Sequence, residues 1–242
     1  MKISGKFNMT KLLSIVLLLF ILVSVIASAQ KEERPPLDKI NVFVVVSESI
    51  ENAFKDAAKV LHEEEGLESF PFLGYQAHCT LYMTQYPVGL QNEVLAKIEE
   101  LASNTREFAV NSTGIEMTSG NWYFMNIERN HNLQALSDSV VELLAPLRAK
   151  SDFVPDWAKE FPTKVEFISK YGSPNVYSEF SPHLTFLANS DAEKLQSFTE
   201  KHLNSDFAKP VTGKIVAIGA GIGDRDGQIK EAWKIFPLKK AD

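Results

Sequence analysis

Two short stretches of the chain share a residue order that could move protons. Ala77-His78-Cys79-Thr80-Leu81-Tyr82-Met83 and Ser181-Pro182-His183-Leu184-Thr185-Phe186-Leu187 both run His, apolar, Thr, apolar, one in each half of the chain. In a strand, alternate side chains share a face, so each His-Thr pair points one way and the residue between points the other. Two such strands facing each other present two imidazoles and two hydroxyls to one cleft. Imidazole titrates near neutrality, so a neutral ring can accept a proton while a protonated partner donates one. The hydroxyls of Thr80 and Thr185 can donate to the non-bridging oxygens of a phosphodiester and fix the phosphorus between the rings. This chemistry asks for no metal and no cofactor.

Other readings of the same residues are weaker. A single His on an apolar strand is usually a satisfied core residue, but here the motif is doubled. The other three histidines, His62, His131 and His202, have Glu64, Leu133 and Asn204 at the second position. A two-His metal site lacks a third ligand at a convincing spacing. Cys79 alternates away from the His face and reads as a small buried filler. Gly219-Ala220-Gly221-Ile222-Gly223 leads into a hairpin and not a helix, so it reads as a flexible strand end and not a dinucleotide site. Tyr75, Trp122, Tyr123, Trp157 and Tyr177 could stack on a base, with packing as the default for each. Lys164, Lys170 and Arg225 read as solvated surface.

The tetrads His78-Cys79-Thr80-Leu81 and His183-Leu184-Thr185-Phe186 resemble the hallmark of the two-histidine (2H) phosphoesterase superfamily. That group includes the 2′-5′ RNA ligase-like proteins and the 2′,3′-cyclic nucleotide phosphodiesterases. The resemblance implies that His78 and His183 are catalytic and that Thr80 and Thr185 bind the substrate phosphate. It implies a pseudo-symmetric, two-lobed α+β fold with a cleft between the lobes. The implied substrate is a 2′,3′-cyclic phosphate or a 2′-5′ phosphodiester, in a nucleotide or at an RNA end. Two alternatives stay open: a cyclic phosphodiester that is not RNA, such as an ADP-ribose cyclic phosphate, and an exported nucleotide- or RNA-end-binding protein without significant turnover.

The N-terminus reads as an export signal. Lys2, Lys6 and Lys11 precede an apolar run from Leu12 to Ile26, and Ala27-Ser28-Ala29 is a small-x-small cleavage site. Residues 1–29 are therefore expected to be removed, leaving residues 30–242 as one exported bilobal domain. An uncleaved anchor is the competing reading, since the apolar run is long for a signal. The chain carries a net charge of −6, and losing three leader lysines makes it more acidic. Binding of long nucleic acid by bulk charge is thereby disfavoured. One cysteine, Cys79, excludes an internal disulfide. A monomer is expected.

Periodicity supplies the elements that must hold the motifs. Strands are expected at Asn41–Val46, Ala77–Gln85, Phe108–Met117, Trp122–Glu128, Ser181–Leu187, Val211–Ile218 and Ile229–Phe236. Helices are expected from Ile50 to Glu65 behind a Ser49 cap, from Leu90 to Ala102, from Leu133 to Ala149, and from a Ser190 cap to Leu203. Residues 151–177 read as an irregular loop with one strand-like run at Val165–Ile168. The last two strands are joined by a turn at Asp224-Arg225-Asp226-Gly227. Two hairpins interrupt the β-α alternation, which favours antiparallel or mixed sheets over a doubly wound parallel one.

Overall fold

The computed structural model describes residues 36–151 and 153–241. The export segment expected over residues 1–29 lies outside them. The first strand, β1 (Leu37–Val46), is a β-branched run buried along most of its length. Helix α1 (Glu48–Glu65) follows, starting behind Ser47 and not Ser49. The Ser47 hydroxyl does not cap its own helix; it accepts the Lys214 N–H and so ties the helix start to a strand far along the chain. Gly66, in the left-handed region at φ 68°, closes α1 with a bond from its N–H to the His62 carbonyl. Next come β2 (Cys79–Pro87), α2 (Gln91–Asn104) and β3 (Phe108–Met117).

The second half repeats this order. It consists of β4 (Tyr123–Ile127), α3 (His131–Leu144), α4 (Pro162–Tyr171), β5 (His183–Leu187), α5 (Ala192–His202) and β6 (Thr212–Ile222). A last strand, β7 (Lys234–Pro237), is appended to β6. The halves are therefore two β-α-β-α-β units, with α4 as an insertion in the second. Their sheet runs β2-β1-β6-β3-β4-β5, and every pairing along it is antiparallel. The order shows an exchange. The third strand of each half pairs with the first strand of the other: β6 with β1, and β3 with β4. The two exchanged strands also pair with each other where Phe108–Asn111 meet Ile215–Thr212.

This sheet curls until its ends meet. Register shifts at Val42/Phe43, Val45/Val46, Ser112/Gly114 and Tyr123/Phe124 mark irregularities in four of the pairings. Such bulges bend strands and increase their twist. As a result β2 and β5, the two ends of the path, lie alongside each other. One continuous core runs through both halves, from Val44 and Leu81 to Phe186 and Ile218. The α+β, pseudo-symmetric, antiparallel architecture expected from the sequence is the one observed.

Several local expectations are corrected. Val165–Ile168 lies inside α4 and is not a strand. Pro162 at the first turn and Gly172 in the left-handed C-cap position set a helix, and a four-residue apolar run is too short to override those caps. The fourth large helix is capped by Asp191 and not Ser190, its carboxylate accepting from the Glu193 and Lys194 N–H groups. Helix α3 ends at Leu144, where a 3-10 turn containing Pro146 takes over. Of the expected final strand only Lys234–Phe236 pairs with β6, and the pairing extends one residue further to Pro237.

The glycine run is also not a flexible end. Gly219 and Gly221 lie within β6, between β1 and either β7 or the Glu231–Ala232 backbone. A Cβ at Gly219 would fall 2.6 Å from Cζ of Phe43, a fully buried ring. The close approach of Phe43 to this strand depends on the missing side chain. Gly219→Ala should therefore destabilise the fold by about 1–3 kcal/mol through overpacking. Urea denaturation checks this, and an unshifted midpoint would show that the Phe43 ring relocates freely.

Candidate active site

His78 stands immediately before β2, and His183 is the first residue of β5. Both rings are fixed by the same local bond. Nδ1 of His78 lies 2.8 Å from the Gln76 carbonyl, and Nδ1 of His183 lies 2.7 Å from the Ser181 carbonyl, each two residues upstream. A carbonyl only accepts, so Nδ1 carries the hydrogen in both rings. In the neutral form this leaves the lone pair on Nε2. Each ring also rests on a phenylalanine from the neighbouring strand. Phe43 meets His78 edge-on at 5.2 Å, and Phe124 stacks on His183 at 3.8 Å. In register, Phe43 stands opposite Thr80 and Phe124 opposite Thr185. The twin motifs thus have twin supports.

The two motifs reach one site. His78 and Thr185 line the same pocket, together with Tyr75, Gln76 and Gln228. The buried Cys79 thiol sits beside the His183 backbone N–H, on the opposite side of β2 from the His78 ring. Charge on His183 is felt at His78. A separate recess of about 440 Å³ is lined by Ser181 and Pro182, with Asn126, Arg129 and Lys164 in its wall.

Burial sets the electrostatics. Desolvation, with a smaller contribution from the His183 charge, pulls the His78 pKa down to about 4, against the Gln76 carbonyl and Asp224, which raise it. Desolvation also lowers the His183 pKa, opposed by the Ser181 carbonyl and by Glu116. A positive charge on His183 disfavours one on His78. Burial pushes the Cys79 thiol up to about 12, which leaves it protonated and unreactive. Among the described residues, no three His, Cys, Asp or Glu side chains group as a metal site would need.

Of the four residues singled out by the sequence, His78 and Thr185 line this cavity; Thr80 is joined to His78 through Asn41, His183 stands two residues before Thr185 on β5, and the two hydroxyls differ. Thr80 accepts a hydrogen bond from Asn41 at 2.9 Å, and Thr185 has none among the described residues. The other candidates disperse. Tyr123 is core, bonded to Thr199; Trp157 is exposed; Lys170 pairs with Glu166. Lys164 is held by Asn175 and Glu179, and Arg225 is almost wholly exposed. Tyr75 does reach the cavity wall. The sequence reading missed Asn41, Phe43, Phe124 and Gln228. Asn41 had a legible signal, since a lone amide in an otherwise apolar, fully buried strand must have a partner.

With this geometry in view, comparison with known proteins is direct. Residues 47–226 match the model of the 2′-5′ RNA ligase superfamily. The chain belongs to that superfamily, the 2H phosphoesterases, whose members act on phosphodiesters of nucleotides and RNA. Solved structures similar to the chain include three that span nearly their whole length. TT0787 of Thermus thermophilus is 13% identical with a TM-score of 0.49, over 84% of this chain and 100% of that one. LigT of E. coli in its apo form is 9% identical with a TM-score of 0.46, over 84% and 98%. LigT complexed with 3′-AMP gives 9% and 0.47, over 84% and 99%. No curated protein sequence matches the chain.

The depressed His78 pKa has a consequence for stability. The folded value lies below the unfolded one, so as pH falls through 6.5 the unfolded chain takes up the proton first. Stability present at pH 7 is then lost progressively down to about pH 4, by up to about 3 kcal/mol from this ring. Urea titrations at the two pH values should show that loss, and His78→Gln should flatten it. An equal pH dependence in the variant would mean that other groups carry it.

Proposed function

We propose that the protein is a phosphoesterase that hydrolyses a 2′,3′-cyclic phosphate or a 2′-5′ phosphodiester of a nucleotide or RNA end, with two histidines as acid and base and no metal. One observation carries this reading: two matched imidazoles, each fixed through Nδ1 so that Nε2 is the working nitrogen, come from twin motifs that meet at one cavity. Membership of the superfamily supports the reaction class. The acidic chain suits a small phosphorylated nucleotide better than long nucleic acid.

The roles can be assigned. The Asn41 N–H groups face Nε2 of His78 at 3.3 Å and disfavour a hydrogen there, which favours the shared proton on His183. His78 is then the base and His183 the acid. In hydrolysis of a cyclic phosphodiester, Nε2 of His78 takes a proton from water as its oxygen attacks phosphorus. The bond from phosphorus to one ribose oxygen breaks, and Nε2–H of His183 protonates that leaving oxygen. Thr80 and Thr185 donate to the non-bridging oxygens, whose charge rises in the transition state. A bound anionic phosphate also favours the protonated form of His183.

His78→Ala and His183→Ala should each lower turnover of a 2′,3′-cyclic nucleotide in the presence of EDTA by about 10²–10⁴-fold. On a nitrophenyl phosphodiester, whose leaving group needs no proton, His183→Ala should regain much of its rate and His78→Ala should not. Substantial activity of either variant on the cyclic substrate would sink the two-histidine mechanism. Nucleotide binding by the intact protein without product would favour the alternative, a binding protein of the same fold.

The lysine-flanked apolar run and Ala27-Ser28-Ala29 support export. N-terminal sequencing of protein recovered outside the cytoplasm should begin at Gln30. A retained Met1 would instead make the segment an anchor.

A further inference from the structure

Asn41 lies on β1 opposite Met83 of β2 and is fully buried. Its Nδ2 lies 2.8 Å from the Gly227 carbonyl, 2.9 Å from Thr80 Oγ1 and 3.3 Å from His78 Nε2. Its Oδ1 is buried and has no hydrogen-bond partner. This orientation has one cause: the Gly227 carbonyl can only accept, so the amide must turn its nitrogen toward it. An orphaned buried oxygen is tolerated because the three acceptors on the other side require a donor. Two positions along β1, Lys39 holds the Asp224 and Arg225 carbonyls of the same turn at 2.8 and 2.9 Å. The turn that carries Gln228 into the cavity is thus clasped from β1 at two points.

An amide nitrogen has two hydrogens, and three acceptors surround this one. The two shorter contacts, Gly227 and Thr80, take them. The Thr80 oxygen is then an acceptor toward Asn41, and its own hydrogen must point elsewhere. The Nε2 lone pair of His78, left at 3.3 Å, stays unspent. Were His78 to carry a hydrogen at Nε2, that hydrogen would face the N–H groups of Asn41.

From this geometry we infer that Asn41 is a positioning residue, which makes the Thr80 hydroxyl an obligatory donor toward the substrate phosphate and keeps the Nε2 lone pair of His78 unprotonated and available. The inference rests on the proposed phosphoesterase reading. It assigns to a residue outside both motifs the task of fixing which groups in the site give and which accept hydrogen.

Asn41→Asp tests it with shape conserved, because a carboxylate can only accept; Asn41→Ala is the second variant, should the buried charge prevent folding. With a 2′,3′-cyclic nucleotide, either folded variant should lose about 10–100-fold in kcat with KM changed less than about threefold. Thr80→Val should show a similar loss, and the Asn41→Ala/Thr80→Val double variant should lose less than the two single losses multiplied, because the two residues share one task. Losses that multiply, or an undiminished kcat in both Asn41 variants, overturn the inference.

A second readout does not need turnover. Nitrogen-15 spectra of the imidazoles should show His78 in the Nδ1–H form in the wild type. The charged or titratable groups bearing on His78 are His183 and Asp224, and both variants leave them intact. In Asn41→Asp, His78 should hold its proton to higher pH than in the wild type. If His78 titrates identically in wild type and variants, Asn41 does not bear on the ring and the inference fails, whether or not the protein turns over substrate. An inactive wild type whose His78 responds as described would instead refute the phosphoesterase reading and leave the placement of Asn41 standing.

Discussion

Each half of the molecule completes its sheet with a strand borrowed from the other. β6 returns to pair with β1, and β3 crosses to pair with β4. The site depends on this exchange. Neither His strand pairs directly with its twin; they are brought together because the sheets that carry them are spliced through β3 and β6 and then curl. A motif on one half alone would present a single imidazole, which can accept a proton or give one but cannot do both in one displacement. The backbone ladder therefore does what no local contact around the rings could do: it brings the two imidazole-bearing strands together.

Around each ring the same small set of devices recurs. A carbonyl two residues upstream fixes the tautomer, and a phenylalanine on the adjacent strand supports the ring. The halves then diverge. Thr80 is held by Asn41, and His78 is the more deeply buried imidazole, whereas His183 stacks closely on its phenylalanine and feels Glu116. Matching scaffolds thus give two identical side chains unlike surroundings. The acidity of the whole protein matters little here, since burial outweighs distant charge at both rings.

Much of this was legible in the sequence, for physical reasons. The two His-x-Thr runs announced themselves by alternation, and the element order followed from periodicity and from hairpins at Ser119-Gly120-Asn121 and Asp224–Gly227. The fold class came from the same pattern. Other features were hidden because they depend on partners distant in the chain. Val165–Ile168 looks like a strand until Pro162 and Gly172 are weighed as caps. Gly219 looks mobile until Phe43 is seen pressed against it. Asn41 passes as one polar residue in an apolar run until Gly227, far along the chain, takes its hydrogen. Strand exchange itself leaves no mark on local periodicity, because swapping equivalent strands between halves preserves every alternation.

The pairing of β1 with β6 also dictates a timetable. β1 leaves the ribosome long before its partner, since Ile40 is matched with Ile222. Until that late segment is made, the early half has an unpaired edge and the Gly227 carbonyl that orients Asn41 does not exist. A nascent chain therefore holds no assembled site through most of its synthesis, and long-range closure of this kind is slow in its own right. A chain that remains open this long suits threading through a narrow passage before it folds, the route that the proposed export would require.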